Sequence, residues 1–454
     1  MTKLQIIQSQ KDDPVWFKQM ESADFMPDTL GQDGNLLVIY RDLPGQTVQG
    51  FGGALTQAAA WNYSRMPEAL RQQFLHACYG TDGLRYSWGR TPIGSCDFSP
   101  EEYSYCDTPD DISLRAFSVK PDEPYQLALI RAIHDFRGQP LTLLASPWSP
   151  PGWMKSNGEM KNGGELLPQY YDLWAAYVVK YLHAYRSRGV NIRYVTVQNE
   201  PKAVQRWESC VYSAGQEAAM AAEHLAPALR RAGLTDVGIV IWDHNKERVF
   251  TRAREIFSHP GARQAVEGIG FHWYSGDHFE NLRLCRAAFP EKELIFTEGC
   301  VELGTKTDAS PVESPWEYGE RYGHDMIGNF NAGMTAFLDW NVLLDEHGGP
   351  NHLENYCGAP LIFDSAAGRL LLEPSYCFIG HFSRFVPAGS RCVAHSLYTA
   401  KLETAVFVTP ENECVAVVMN PQEETLPLCL QDTVTGHIAG FFLPPRSIST
   451  LRYR

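Results

Sequence analysis

Eight short apolar runs, rich in β-branched and aromatic residues, recur along the chain between stretches of helical period. They are VQGFGGALT (48–56), LRYSWGRTPIG (84–94), LTLLASPWSP (141–150), IRYVTVQNEP (192–201), VGIVIWDHN (237–245), GIGFHWYSGD (268–277), LIFTEG (294–299) and MTAFLDWNVL (334–343). Between them, 168–187 places Tyr171, Trp174, Val178 and Leu182 at three- and four-residue steps, which predicts a helix. Residues 214–232 predict another, with Pro227 expected to kink or divide it. Eight strand–helix alternations predict an α/β fold, a parallel (β/α)₈ barrel. A doubly wound open sheet is the alternative, weakened by the lack of a glycine fingerprint for dinucleotides.

The two ends have a different rhythm. From about Arg391 to Arg454 the helical period vanishes, and ETAVFVTPENECVAVVMN predicts a hairpin turning at Pro410-Glu411-Asn412. Two more short strands are expected in GHIAGFFLPPRSISTLRYR, and NLLVIYRDL (35–43) is strand-like as well. The expected organisation is a smaller β-sandwich side domain built from both termini, 1–45 and 389–454, with the barrel at 46–388 between them.

Composition narrows the partners. With 454 residues, 44% of them hydrophobic, the chain can bury a large core. A net charge of −14 argues against a nucleic-acid partner and against docking on anionic membranes. No run of about 18 apolar residues predicts a membrane-spanning helix, so no stable membrane insertion is expected. The eleven cysteines are scattered without a CxxC pair, and the first residues lack an apolar stretch of signal-peptide length. Both features predict a cytoplasmic, reducing location.

Several apolar runs end on polar or aromatic chemistry: Asn199-Glu200, Glu298, Tyr274 and Trp340. In a barrel such positions meet where the βα loops converge. Aromatic faces beside carboxylates suit a sugar, which has apolar C–H faces and hydroxyl edges. Glu200 and Glu298 stand three strands apart and so face each other across the mouth. Two carboxyls held about 5–5.5 Å apart can perform retaining glycoside hydrolysis. His244, His272 and His278 with Asp243 lack a compact ligand motif, so no metal and no other cofactor is expected. KSNGEMKNGGE (155–165) lacks phosphate-loop spacing and is expected to form a mobile loop over the site. Cys96 and Cys300 are expected to be small buried packing residues.

The chain resembles glycoside hydrolase family 30, the glucosylceramidase-like retaining β-glycosidases. The resemblance runs from VQGFGGALT through CDFS, LLASPWSPPGWMKSNG, VTVQNEP, HWY and TEG to DWN, GGPN and GHFSRFVPAGS. It implies Glu200 as general acid/base and Glu298 as nucleophile. It further implies Asn199 on the sugar 2-OH, Tyr274 donating to Glu298, and Asp97 on outer hydroxyls. Trp148 and Trp340 would enclose the sugar, with Asn355 at the rim. His272 is expected as a hydrogen-bonded wall residue, and a salt bridge to Arg90 is the competing role for Asp97. For its division of labour Glu200 needs a raised pKa, which the charge of Glu298 should supply. The expected function is an exo-acting β-glucosidase acting on a small carbohydrate or soluble glycoside rather than on ceramide. β-Xylosidase, β-fucosidase and endo-xylanase are near rivals; a non-catalytic carbohydrate-binding protein and a metal-dependent hydrolase are distant ones.

Overall fold

The computed structural model describes residues 3–29, 31, 34–304 and 311–454. Eight parallel strands close into a barrel: β1 (Gly50–Ala54), β2 (Trp88–Ile93), β3 (Thr142–Pro147) and β4 (Ile192–Thr196), then β5 (Gly238–Asn245), β6 (Val266–His272), β7 (Glu293–Glu298) and β8 (Ala336–Asp339). Each pairs with the next in chain order, and β8 returns to β1. Every strand falls within or across one of the eight apolar runs, and the open-sheet alternative is excluded by closure.

The barrel interior changes character along its axis. Low in the barrel, Trp88, Leu144, Tyr194, Val240, Ile295, Ala336 and Leu338 form one apolar plug, with Trp88 stacked on Tyr194 at 5.4 Å. Strand side chains alternate, so the next inward position lies two residues on. There Arg90 follows Trp88 and Ser146 follows Leu144, both fully buried. The plug thus forms a dry floor directly beneath a polar layer.

The helix at 168–187 is a 3₁₀ turn, Pro168–Tyr170, leading into Tyr171–Arg186. Of the two effects expected of Pro227 in the 214–232 segment, division does not occur, and the irregularity takes the form of a wider turn. Helix Ala214–Ala219 runs through a π-helical turn, Met220–Leu225, into Ala226–Arg231. Ala226 N–H bonds back to Ala221, five residues away, and this wider turn accommodates the proline ring. Ser213 and Gln216 close its start as a reciprocal capping box.

The side domain is a ten-strand sheet in which Gln5–Gln10 and Leu36–Thr47 are interleaved with strands from the C-terminal region. Its expected hairpin is present: Glu403–Val408 pairs with Cys414–Asn420, and Asn412 takes the left-handed conformation at the turn (φ 63°). Alternation gives both sheet faces work. Val406, Val408, Ala416 and Val418 bury against the domain's own core, while Phe407, Val415, Val417 and Met419 join the main core. Phe330 and Phe382 meet Phe407 there, from helices Trp316–Asn331 and Pro374–Ser383.

Gly52 in β1 lies so close to β2 that an added Cβ would sit 2.1 Å from the Trp88 carbonyl oxygen. That neighbour is backbone inside a closed ring and cannot swing away. Gly52→Ala is expected to lower unfolding free energy by about 1–3 kcal/mol or more, read as a lower urea midpoint at unchanged slope.

Candidate active site

At the C-terminal mouth, a pocket of about 160 Å³ is lined by residues from seven of the eight strands or the loops that follow them. Asp97, Trp148, Asn199, Glu200, Tyr274, Glu298, Trp340 and Asn355 all line it. Of these only Glu298 belongs to a barrel strand; Asn355 comes from the long loop after β8, and the others lie just beyond strand ends, because β4 stops at Thr196, β6 at His272 and β8 at Asp339.

Local irregularities aim these side chains. In β5, Trp242 pairs with Gly270 and His244 with Phe271, leaving Asp243 as an extra residue. Trp242 and Asp243 have φ of 71° and 46°, a left-handed bulge. In a regular strand Asp243 and His244 would point to opposite faces. The bulge turns both inward, Asp243 into the barrel and His244 towards the pocket. A second register shift between β6 and β7 brings Glu298 opposite His272. Glu200 is itself left-handed, φ 47°, held by its N–H to the Asp243 carbonyl at 2.9 Å. Three non-glycine residues in this sparsely populated region are a concentration of strain typical of functional sites.

Arg90, fully buried, is the hub. Its guanidinium donates to Glu298 Oε2, to Asn199 Oδ1 at 2.8 Å, to Asp243 Oδ2 at 3.0 Å and to Ser146 Oγ at 3.1 Å. It also lies 4.7 Å from the ring centre of Trp148, which stacks on Trp340 at 5.3 Å. Tyr274 donates its hydroxyl to Glu298 Oε1 at 3.0 Å. Both oxygens of Glu298 therefore accept a hydrogen bond. Burial pushes the Tyr274 phenol well above its ordinary value, so it stays a donor.

Glu200 stands in a different environment. Its Oε1 lies 3.3 Å from His272 Nδ1 and 3.3 Å from His244 Nδ1. His272 Nε2 meets Asp243 Oδ1 at 3.0 Å. Burial opposes charge on His272, but the charge of Glu298 and the bonds to Asp243 and Glu200 raise its pKa to about 9. Burial likewise opposes charge on Asp243 and Glu200. Arg90 outweighs it for Asp243 and the two imidazoles outweigh it for Glu200, so both carboxyls fall well below the usual carboxylate range. The expectation of a raised pKa on Glu200 is thereby corrected. The neighbour that dominates is not Glu298 but the histidine pair, and the proton rests on imidazole.

Two further expectations change and one rival reading falls away. His272 is fully buried behind Glu200 and is not among the pocket-lining residues. Asp97 does not pair with Arg90, whose guanidinium is committed elsewhere; it accepts from Asn355 Nδ2 at 3.0 Å. Burial and the charge of Glu298 push Asp97 well above the usual carboxyl value. The 155–165 loop does not line the pocket. Its Lys155, buried, donates to the carbonyls of Met160 at 3.0 Å and Ser209 at 2.6 Å. That pins the loop behind the 200–213 segment, which carries the pocket residues Gln205 and Trp207. Cys96 and Cys300 are buried as expected, although Cys300 also lines the pocket and lies 3.5 Å from the Tyr274 hydroxyl. Ser146, Gln205, Trp207, Asn245 and Glu302 belong to the site or its support and were not singled out from sequence, and Arg90 entered only as a rival partner for Asp97. Arg90 carried a usable signal: an arginine two residues after Trp88, at an inward position of an apolar run.

Comparisons with known proteins agree with this architecture. The glycosyl hydrolase family 30 TIM-barrel domain matches residues 48–386, and the family's beta sandwich domain matches 389–451. Lysosomal acid glucosylceramidase of Mus musculus is 32% identical over 435 residues, 93% of this chain and 84% of that protein. Endo-1,6-beta-D-glucanase of Neurospora crassa is 31% identical over 379 residues, 80% of this chain and 75% of that one. The crystal structure of SrfJ from Salmonella typhimurium superposes with a TM-score of 0.94 at 35% identity, covering 100% of both chains. With matched family domains on both its barrel and its sandwich, this chain is an O-glycoside hydrolase of glycosyl hydrolase family 30.

Proposed function

We propose that the protein is a retaining, exo-acting β-glucosidase that uses Glu298 as nucleophile and Glu200 as general acid/base. The observation that carries this reading is the asymmetry of two carboxylates lining one pocket. Glu298 is clamped by a guanidinium and a phenol. Glu200 abuts two imidazoles. The first arrangement suits a group that must be ionised and aimed; the second suits one that exchanges protons.

In the first step, a Glu298 oxygen attacks the anomeric carbon and the glycosidic C–O bond breaks, its electron pair leaving with the aglycone oxygen. That oxygen takes a proton from Glu200, which draws it across the 3.3 Å contact with His272. Water then attacks the glycosyl ester, returns its proton to the Glu200–His272 pair and frees Glu298. Formation of the ester removes the charge of Glu298, which is one of the charges raising His272. The pair then holds its proton less tightly in the intermediate and accepts one from water as Glu298 is released. Asn199 is oriented by Arg90 for the 2-hydroxyl, and Asp97, with Asn355, for the outer hydroxyls.

The pocket's 160 Å³ is below the about 300–1,000 Å³ of sites that enclose larger ligands. That size supports one terminal sugar inside with the aglycone outside. Two relatives named for glucosylceramidase and endo-1,6-β-D-glucanase activity both favour a glucosyl unit. The second also supports a rival reading, endo cleavage of a β-1,6-glucan. We infer a soluble glucoside in a reducing compartment, in line with the acidic chain and its eleven free cysteines.

Nitrophenyl β-glucoside should be cleaved faster than the β-xyloside and β-fucoside, with NMR detecting the β-anomer first; an α-anomer as first product would refute retention. From β-1,6-linked glucose oligomers, glucose alone should appear early, whereas mid-chain fragments would establish the endo rival. Faster release of ceramide from detergent-dispersed glucosylceramide would overturn the soluble aglycone. Glu298→Gln should abolish turnover while binding persists.

Arg90→Lys keeps the charge but loses the fork that spans four partners, so kcat/KM should fall about 10²–10³-fold with the fold intact by circular dichroism. The basic limb of the kcat/KM profile should lie near pH 9, following the shared proton, and His272→Gln should move it. The same proton contributes to stability. Because His272 is raised from 6.5 to about 9, its contribution is complete below pH 6.5 and is lost as pH rises through about 9. The difference in urea stability between wild type and His272→Gln should therefore shrink across that window.

A further inference from the structure

The mechanism uses His272 but assigns nothing to His244. Its Nδ1 lies 3.3 Å from Glu200 Oε1, yet among the described residues it makes no aligned hydrogen bond. The ring packs at 5.0 Å over Trp242 and 6.3 Å from His272, edge to face. The bulge in β5 turns this side chain inward, so its presence here is built into the backbone.

The geometry points to a transition-metal site. We propose that Glu200, His244 and His272 bind one borderline dication of the Zn²⁺ or Cu²⁺ class, and that occupancy reversibly arrests the enzyme. The arrest rests on the reading of Glu200 as acid/base; the binding does not.

Three observations carry the site. First, the three donor atoms all lie within 4.8 Å of one another. Two of those separations, Glu200 to each imidazole, are 3.3 Å. Tetrahedral bonds of about 2.0–2.1 Å place neighbouring donors about 3.4 Å apart, so two edges of the polyhedron already exist. Second, His272 presents Nδ1 to Glu200 while Nε2 meets the Asp243 carboxylate at 3.0 Å. Asp243 is in turn fixed by Arg90 and Ser146. A carboxylate bonded to the far nitrogen of a ligating histidine is the outer-shell arrangement that orients such ligands. Third, Glu200 and His244 line the pocket, which gives an ion a path in and leaves a fourth position for water or a sugar hydroxyl. Two imidazoles and one carboxylate favour Zn²⁺ and Cu²⁺ over Mg²⁺ and Ca²⁺, which prefer all-oxygen sets. His278, the other histidine considered from sequence, is directed elsewhere, to the Ser275 carbonyl at 3.1 Å.

The metal is an inhibitor here, not a cofactor, because it would occupy the oxygen of Glu200 that faces the proton donor. Purified chain carrying Cys429→Ser, which removes the one cysteine that is not buried, is stripped with a chelator and titrated with Co²⁺ and then Zn²⁺ at neutral pH. The expected result is visible d–d absorption saturating at one Co²⁺ per chain and bleached by stoichiometric Zn²⁺. Hydrolysis of nitrophenyl β-glucoside should be inhibited at the same Zn²⁺ concentration, with full recovery on adding chelator. Loss of an outer-shell partner costs about 10–100-fold in affinity, and His244→Asn, which removes a ligand, should cost at least as much. Absence of the cobalt bands, or Zn²⁺ affinity unchanged in His244→Asn, would overturn the site. Should that variant not fold, Glu200→Gln is titrated instead, with the same two outcomes. Cobalt binding without any glycosidase turnover would separate failure of the catalytic reading from failure of this one.

Discussion

The structure depends on one buried cation. Arg90 sits above an apolar plug with no exposure to water, and a guanidinium in such a place is tolerable only when fully paired. Its partners are the carboxylates of Glu298 and Asp243, the amide oxygen of Asn199 and the hydroxyl of Ser146. These come from β3, β5, β7 and the turn after β4, so one side chain on β2 ties most of the barrel mouth together. The planar fork sets directions as well as charge, and its grip on Glu298 leaves the other oxygen to Tyr274. The dependence is mutual, since removing either carboxylate would strand the guanidinium, and removing the guanidinium would strand both carboxylates.

Around this hub, charge is arranged to keep two glutamates distinct. Asp243 takes one share of Arg90 and passes a negative charge to His272, which then faces Glu200 as a protonated imidazole. The chain Arg90–Asp243–His272–Glu200 alternates in sign along its length. Like charges are separated by opposite ones at every step, so a dense cluster of ionised groups survives burial. Among the described residues Asp97 has no cationic partner, and burial and the charge of Glu298 push its carboxyl well above the usual value. A carboxyl held high in this way takes up a proton more readily than a free one, and when protonated it donates as well as accepts, which suits the mixed donors and acceptors of sugar hydroxyls.

The barrel was legible in the chain because its signal is local: eight apolar runs alternating with helical segments, several of them ending in polar or aromatic residues. The residues facing the pocket were legible for the same reason, helped by the order of family-like motifs. What remained hidden is what depends on non-local geometry. A bulge at Asp243 cannot be read from VGIVIWDHN, because alternation in a regular strand would send Asp243 and His244 to opposite faces. The protonation of Glu200 depends on which charges lie nearest, and His244 and His272 arrive from other strands. The role of Lys155 was obscured because lysine in a glycine-rich segment suggests a solvated loop, whereas here two carbonyls hold its ammonium inside.

The side domain bears on the site through rigidity. Helices Trp316–Asn331 and Pro374–Ser383 separate the barrel from the ten-strand sheet. Gly319 and Gly323 on the first let Phe378 of the second lie against the helix backbone, where a Cβ at Gly319 would meet the ring at 2.4 Å. The same helix carries Tyr322, whose hydroxyl donates to Asp339 at 2.8 Å, the last residue of β8 and the one before Trp340. Packing against the sheet thus fixes the helix, the helix fixes the end of β8, and the end of β8 sets the indole that stacks on Trp148 beside Arg90. The terminal strands are linked to the pocket through packed side chains, because the sheet strands Glu403–Val408 and Cys414–Asn420 bury one face against the domain's own core and the other against these helices.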